Sequence, residues 1–164
     1  MILVLDASVL IALSRIGRLD LLRQIAGTVH IPEAVYDEVV RRGEGQPGSV
    51  EVARAEWILR RQVYDRASVD RLRRQVGRGE AEAIVLAREL AADFLVLDDA
   101  TARRVAEMEG QRVLGLPGLL LHGKGSGVVP AVKPVLDEML AAGFFVGDTV
   151  YRLILRQAGE EVPR

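Results

Sequence analysis

The chain has 164 residues, of which 49% are hydrophobic and 27% are charged, and its formal net charge is −1 at pH 7. This length and composition are typical of one globular domain, which we expect to span residues 1–164, and they exclude a disordered chain. The chain contains no cysteine, which excludes disulfides and thiolate metal sites and favours a cytoplasmic location. No apolar run approaches a membrane span in length, so we expect no membrane partner.

The first third of the chain predicts strands that alternate with helices. In chain order we expect a strand at 2–5, helices at 8–16 and 19–26, a strand at 28–31, a helix at 32–42 and a loop at 41–49. The apolar run at 2–5 is typical of a strand covered on both faces. Gly27 ends the second helix, and Pro32 favours the start of the third.

The remainder of the chain continues the same alternation. We expect a strand around 57–63, helices at 69–76 and 80–91, a strand at 94–97, a helix at 101–109, a strand at 113–114, a loop at 123–127, and helices at 130–142 and 148–157. Alternating strands and helices predict an α/β/α architecture with a mainly parallel central sheet. In such sheets ligands bind beyond the carboxyl ends of the strands.

Carboxylates stand at two of these strand ends. Asp6 directly follows the apolar run "ILVL", and Asp98 with Asp99 directly follows "FLVL". Because parallel strands end at the same edge of a sheet, we expect the three side chains to lie close together.

Two predicted helices direct further acids toward the sheet. Glu38 lies beside the apolar pair Val35 and Val39, at the edge of the buried face. Glu80 is the first position of the inward stripe of the helix at 80–91, whereas Glu82 falls on the other side. Helical geometry therefore favours Glu80 over Glu82 as a site residue.

A cluster formed by Asp6, Glu38, Glu80, Asp98 and Asp99 would repel itself strongly. Hard divalent cations relieve such repulsion, and Mg²⁺ or Mn²⁺ suits a site with carboxylate ligands alone. Such ions activate water and neutralise a phosphodiester in the transition state. The cluster therefore favours metal-dependent phosphodiester hydrolysis.

Each acid also has a purely structural interpretation. Asp6 and Asp99 are in position to cap the helices that follow them. Glu80 and Glu82 are favourable charges for the first turn of a helix, and Glu38 can lie at a solvated edge.

A local excess of positive charge lies between Arg54 and Arg78. This segment has three acids (Glu56, Asp65 and Asp70) and eight arginines (54, 60, 61, 66, 71, 73, 74 and 78). It is either a solvated surface or a contact for RNA phosphates.

Four stretches together resemble PIN-domain ribonucleases: "VLDASVLIAL", "IPEAVYDEVV", "GEAEAIVLAREL" and "FLVLDDATAR". They are closest to a compact branch with a "GEAEAI…LDD" signature that resembles toxins of the VapC type. The resemblance implies a PIN-like fold and places the family's acids, in chain order, at Asp6, Glu38, Glu80 and Asp98, with Asp99 as an additional acid.

The sequence departs from the family pattern at two points, since the third acid is a glutamate and the usual threonine before the fourth is replaced by "VL". A shifted alignment pairs Glu82 with Asp99 instead. Ser8, the hydroxyl that the family places beside its first acid, either orients Asp6 or is an ordinary helix residue.

The residues and the resemblance together predict a Mg²⁺- or Mn²⁺-dependent endoribonuclease. Metal ligands are expected among Asp6, Glu80, Asp98 and Asp99, while Glu38 and Asp99 hold a second ion or orient water. The resemblance also implies a homodimer and a small antitoxin partner. The alternative is a catalytically inactive PIN-like module that binds RNA or protein.

Overall fold

The computed structural model describes residues 1–164 as a central sheet with helices on both faces. The strands are β1 (Leu3–Leu5), β2 (Val29–Pro32), β3 (Ile58–Arg61), β4 (Phe94–Val96) and β5 (Val113–Leu114). The helices are α1 (Ala7–Arg15), α2 (Asp20–Ala26), α3 (Glu33–Tyr36), α4 (Ser49–Arg54), α5 (Arg66–Leu72), α6 (Arg78–Glu89), α7 (Ala100–Met108), α8 (Leu116–Gly125), α9 (Val132–Ala141) and α10 (Asp148–Gln157). A π-helical turn, Asp37–Arg41, continues α3.

All five strands are parallel and follow the order β3-β2-β1-β4-β5, which confirms the predicted α/β/α class. The central strand β1 pairs with β2 on one side and with β4 on the other. Since β1 and β4 are adjacent and parallel, the residues that follow them emerge side by side. The fold thus brings Asp6 and Asp98 to the same edge of the sheet.

The sheet separates two apolar cores, as expected from strands buried on both faces. Leu3 and Leu5 of β1 pack on one face with residues of α1, α2, α8 and α9. Val4, between them, packs on the other face with residues of α5, α6 and α7. None of the helices is both long enough and apolar enough to span a bilayer.

Two helices were absent from the sequence-based prediction, and the predicted loop at 123–127 was partly wrong. Helix α8 extends through Gly125, into the segment whose glycines predicted a loop. A Cβ on Gly123 would lie 2.8 Å from Cγ2 of Val129 and 2.9 Å from Cδ1 of Ile25, so this glycine permits close packing inside a helix. Helix α4 has only six residues and begins after Gly48, where the backbone has a φ of 97°.

Candidate active site

Asp6 lies at the centre of the candidate site, between β1 and α1. Its Oδ1 accepts a hydrogen bond from the Val9 amide at 3.1 Å and so caps α1, and its Oδ2 accepts from the Asp98 amide at 3.4 Å. The residue is only 3% exposed. Burial, reinforced by the nearby Asp98 and Glu80 carboxylates and opposed by these two amides, raises the pKa of Asp6 to about 7. Asp6 therefore caps α1, as one sequence interpretation held, and also faces other acids.

An open cavity of about 250 Å³ joins Asp6 to two other predicted site residues, Glu38 and Glu80. The Glu80 Oε2 accepts the Gly77 amide at 2.8 Å, which leaves its Oε1 without a protein donor. Glu38 is exposed and no protein group donates to its carboxylate. Three carboxylates from separate elements thus face one cavity, with free oxygens on two of them.

A local departure from α-helical geometry carries Glu38. It lies in the π-helical turn Asp37–Arg41, whereas the sequence pattern predicted a regular α-helix. Such turns widen the helix by one residue and recur at functional sites. The N-terminus of α6 approaches closely here, because a Cβ on Gly79 would lie 3.2 Å from the Glu38 Oε2.

Asp98 and Asp99 follow β4 but serve different purposes. The Asp98 carboxylate is half-buried and receives no hydrogen bond from the protein. Burial raises its pKa, and Asp99 adds to this effect, whereas Arg103 opposes it. Asp99 is exposed and its Oδ2 accepts the Ala102 amide at 2.8 Å, so Asp99 caps α7. Both line a neighbouring cavity of about 580 Å³ and not the one shared by Asp6 and Glu80.

The sequence pattern set Glu82 apart from the inward stripe of α6, but the structure buries Glu82. Glu82 is 1% exposed, and its Oε1 accepts the Ala34 amide at 3.0 Å. Its Oε2 lies 3.3 Å from Nη1 of Arg66 and 3.4 Å from Nε of Arg78. The helical-wheel argument failed because α6 packs against α3, α5 and the sheet. Both Glu82 oxygens are therefore occupied by protein donors, and Glu82 does not line the cavity that contains Asp6 and Glu80.

The arginine-rich segment is partly neutralised by ion pairs. Four of its eight arginines pair with acids: Arg60 with Glu33, Arg66 and Arg78 with Glu82, and Arg71 with Glu109. The other four (Arg54, Arg61, Arg73 and Arg74) have no acidic partner, although Arg61 donates to His30. Ion pairs within the fold therefore account for four of the eight arginines, and the other four remain candidates for contact with RNA phosphates.

The acidic side chains of the candidate site are chemically suited to a hard cation, although they do not lie close enough together to coordinate one. No group of three or more acidic or histidine side chains is gathered closely enough to hold a metal ion. The side chains of the cavity that could ligate a metal nevertheless all do so through oxygen, as Mg²⁺ and Mn²⁺ prefer, although two arginines also line it. A bound cation would also oppose the burial and, to a smaller extent, the carboxylate repulsion that together raise the pKa of Asp6. Glutamate side chains are long enough to close around an ion by rotation.

The sequence-based prediction missed several residues of this region. Arg42 lines the acidic cavity beside Arg78 of the arginine-rich segment, and Arg103 and Phe145 line the adjacent cavity. The sequence feature that could have indicated this region is the pair Gly77 and Gly79, which flank the start of α6. Glycine permits close approach of other groups to a helix N-terminus. Ser8 is exposed and donates no hydrogen bond to Asp6, so its predicted orienting role has no contact to support it.

A family model, DUF3368, described as a PIN domain, matches residues 2–160. The chain therefore belongs to the PIN-domain family. PIN domains are generally nucleases, which supports a hydrolase that acts on nucleic acid. No curated protein and no solved structure matches the chain.

Proposed function

We propose that the chain is a Mg²⁺- or Mn²⁺-dependent endoribonuclease. The observation that carries this proposal is the convergence of Asp6, Glu38 and Glu80 on one cavity, with Asp98 hydrogen-bonded through its amide to Asp6. Membership of the PIN-domain family supports nucleic acid as the substrate. Asp6, Glu80 and Asp98 are the proposed metal ligands, and Glu38 and Asp99 complete the site.

The chain's own groups would divide the chemistry among them. A divalent cation held by Asp6, Glu80 and Asp98 would supply an activated water and would neutralise the charge that develops on the phosphodiester. Glu38, exposed and free of protein donors, is placed to orient the attacking water. Asp98 is fixed by the contact of its backbone with Asp6 and presents an unbound carboxylate. Water attacks phosphorus in line with the leaving oxygen, without a covalent enzyme intermediate.

A covalent mechanism has little support from the surrounding residues. Neither histidine lines the cavities that contain Asp6 or Asp98, and Ser8 has no basic partner. A serine hydroxyl needs an adjacent base to act as a nucleophile.

Cleavage of a mixed single-stranded RNA, with Mg²⁺ and then with EDTA, tests the proposal. Asp6→Asn is the catalytic variant, and Glu107→Gln, at an exposed acid of α7, is the matched control. We expect cleavage by the wild type and by Glu107→Gln in Mg²⁺, and loss of cleavage in EDTA or with Asp6→Asn. Cleavage that survives EDTA, or cleavage by Asp6→Asn at the wild-type rate, would contradict the metal-nuclease assignment.

The alternative function is a catalytically inactive module that binds RNA or protein. Two observations favour it: both oxygens of Asp6 accept backbone amides, and no three acids are gathered for a metal. The same assay separates the two, because the module would bind RNA without cutting it under any metal condition.

We further propose that this nuclease is the toxin of a toxin–antitoxin pair. On this proposal it acts in the cytoplasm as a homodimer, and a small antitoxin protein covers the acidic cavity. The lack of cysteine supports a cytoplasmic location. A short reading frame directly upstream of the gene would support the pair, and sedimentation of the purified chain tests the dimer.

A further inference from the structure

An aromatic surface adjoins the acidic edge and has no part in the chemistry described so far. The segment 142–147, between α9 and α10, carries Phe144 and Phe145. Both phenylalanines line two cavities, of about 580 Å³ and about 350 Å³, and Asp98 lines the same two cavities. The aromatic segment therefore shares two cavities with the proposed metal ligand Asp98.

The two phenylalanines differ in exposure. Phe144 packs against the larger core, and its amide donates to the carbonyl of Met139 at 2.9 Å. Phe145 is 85% exposed, the largest value among the exposed large apolar side chains of the chain. A neighbouring turn is fixed by Gly143, which has a φ of 93°. Phe144 thus anchors the segment while the Phe145 ring stands open to solvent beside the acids.

Each of the two cavities that Phe145 lines also contains an arginine. Arg15, in the last turn of α1, lines the smaller cavity, and Arg103 lines the larger. Arg103 donates to the backbone carbonyls of Leu97 and Asp98 and pairs with no carboxylate. Its guanidinium is therefore held by the backbone next to Asp98, in the lining of the larger cavity, without a direct ion pair. An open aromatic ring in two cavities that each contain an arginine is complementary to single-stranded nucleic acid, whose bases stack and whose phosphates are anionic.

We infer that Phe145 is a stacking platform for an unpaired base of the RNA substrate, next to the phosphate that is cleaved. The inference rests on the proposed ribonuclease function and names its substrate class as single-stranded RNA. Arg15 and Arg103 contact the phosphates on either side of the stacked base. A base within a duplex is already stacked and is not available to Phe145, so the platform selects for unpaired segments.

Fluorescence anisotropy with a short labelled single-stranded RNA tests the platform. The measurements use the full chain with Mg²⁺ in an Asp6→Asn background, so that cleavage does not intervene. Phe145→Ala should raise the Kd by roughly 5-fold to 150-fold, which corresponds to about 1–3 kcal/mol per stacked base. Phe145→Trp should retain the affinity, and RNA should quench its added tryptophan fluorescence beyond the signal of Trp57 in the parent protein.

Tyr64→Ala is the matched control. Tyr64 is 80% exposed, and its amide is bound by Glu89, at the opposite end of α6 from Glu80. It should leave the Kd unchanged, and a duplex of the same sequence should bind the Phe145→Ala and parent proteins equally. An unchanged Kd for Phe145→Ala, or an equal loss of affinity for duplex and single-stranded RNA, would overturn the inference. Either result would favour a protein as the partner of this surface.

The binding assay tests the stacking platform and the cleavage assay tests the nuclease function, so either proposal can fail without the other. Base stacking without cleavage by the wild type would support the platform while removing the nuclease function. Cleavage by the wild type with no effect of Phe145→Ala on binding would remove the platform alone.

Discussion

The backbone amide of Asp98 donates a hydrogen bond to Oδ2 of Asp6 across 3.4 Å, although the two residues are 92 positions apart. The parallel pairing of β1 with β4 creates this contact, because it places Leu5 opposite Val96 just before the strands end. The two carboxylates are therefore positioned by the most buried part of the sheet. A site built on rigid strands holds its acids more precisely than one built on loops.

Substitution by glutamine should reduce mainly stability at Glu82 and mainly RNA cleavage at Glu80. Glu82→Gln should lower the free energy of unfolding by about 1–3 kcal/mol, since a buried charged acceptor for Ala34, Arg66 and Arg78 is replaced by a neutral one. Glu80→Gln should change stability little, because glutamine can retain the cap on Gly77, but it should lower RNA cleavage at least about 100-fold.

Urea unfolding and RNA cleavage, measured on both variants, check this pair of expectations. A stable but inactive Glu82→Gln protein would show that Glu82 is the site acid, as the shifted alignment implies.

The sequence was sufficient for the sheet and for the acids that follow strands. Asp6 and Asp98 were predicted to meet because strand polarity alone determines where a parallel strand ends. The position of Glu82 was not predictable in this way, since residues 81–87 of α6 are all buried and the helix has no single inward stripe there. Glu38 was predicted at the edge of a regular helix, but the π-helical turn that carries it depends on packing rather than on local propensity.

Gly79→Ala should separate stability from activity. Alanine favours the helix, so the free energy of unfolding should stay constant or rise by up to about 1 kcal/mol. The new Cβ would lie 3.2 Å from the Glu38 Oε2 and 3.5 Å from Cγ2 of Val35, so the flexible Glu38 side chain should move away and cleavage should fall several-fold.

Gly125→Ala provides the matched control, since a Cβ there meets no atom within 4 Å in helix α8. Thermal melting and cleavage rates of both variants measure the effects on stability and on activity separately. Unaltered cleavage by Gly79→Ala would mean that the position of Glu38 is unimportant for the reaction.

The unpaired arginines should determine the salt dependence of RNA binding. Arg73 and Arg74 are exposed, have no acidic partner, and lie shortly before Gly77 of the acidic cavity. Replacing both with glutamine should weaken RNA binding and reduce the slope of log K against log salt by up to about 1.4, at about 0.7 per phosphate contact on a single strand. Arg71→Gln, at an arginine already paired with Glu109, is the comparison. A salt titration without any slope would remove the arginines from RNA binding.

The raised pKa of Asp6 should make the metal-free protein less stable at higher pH. The folded state holds the Asp6 proton up to about pH 7, whereas the ordinary pKa is 3.8, so the folded state binds more protons between these values. The free energy of unfolding should therefore fall as pH rises through this window, by up to about 4 kcal/mol at 1.36 kcal/mol per pKa unit.

Asp6→Asn isolates this effect from the other titrating groups, because asparagine does not titrate. Urea unfolding of both proteins in EDTA should show the wild type losing stability relative to Asp6→Asn from about pH 4 to about pH 7. A constant difference across this range would mean that Asp6 ionises normally in the fold.

Calorimetric titration of the wild type with Mn²⁺ at neutral pH tests most directly whether these acids share a hard cation. We expect saturable binding that weakens at least about tenfold in Asp98→Asn, since a charged ligand is lost, and that is unchanged in Glu107→Gln. An absence of saturable binding to the wild type, or equal binding by Asp98→Asn, would contradict the metal site and leave the fold without its proposed chemistry.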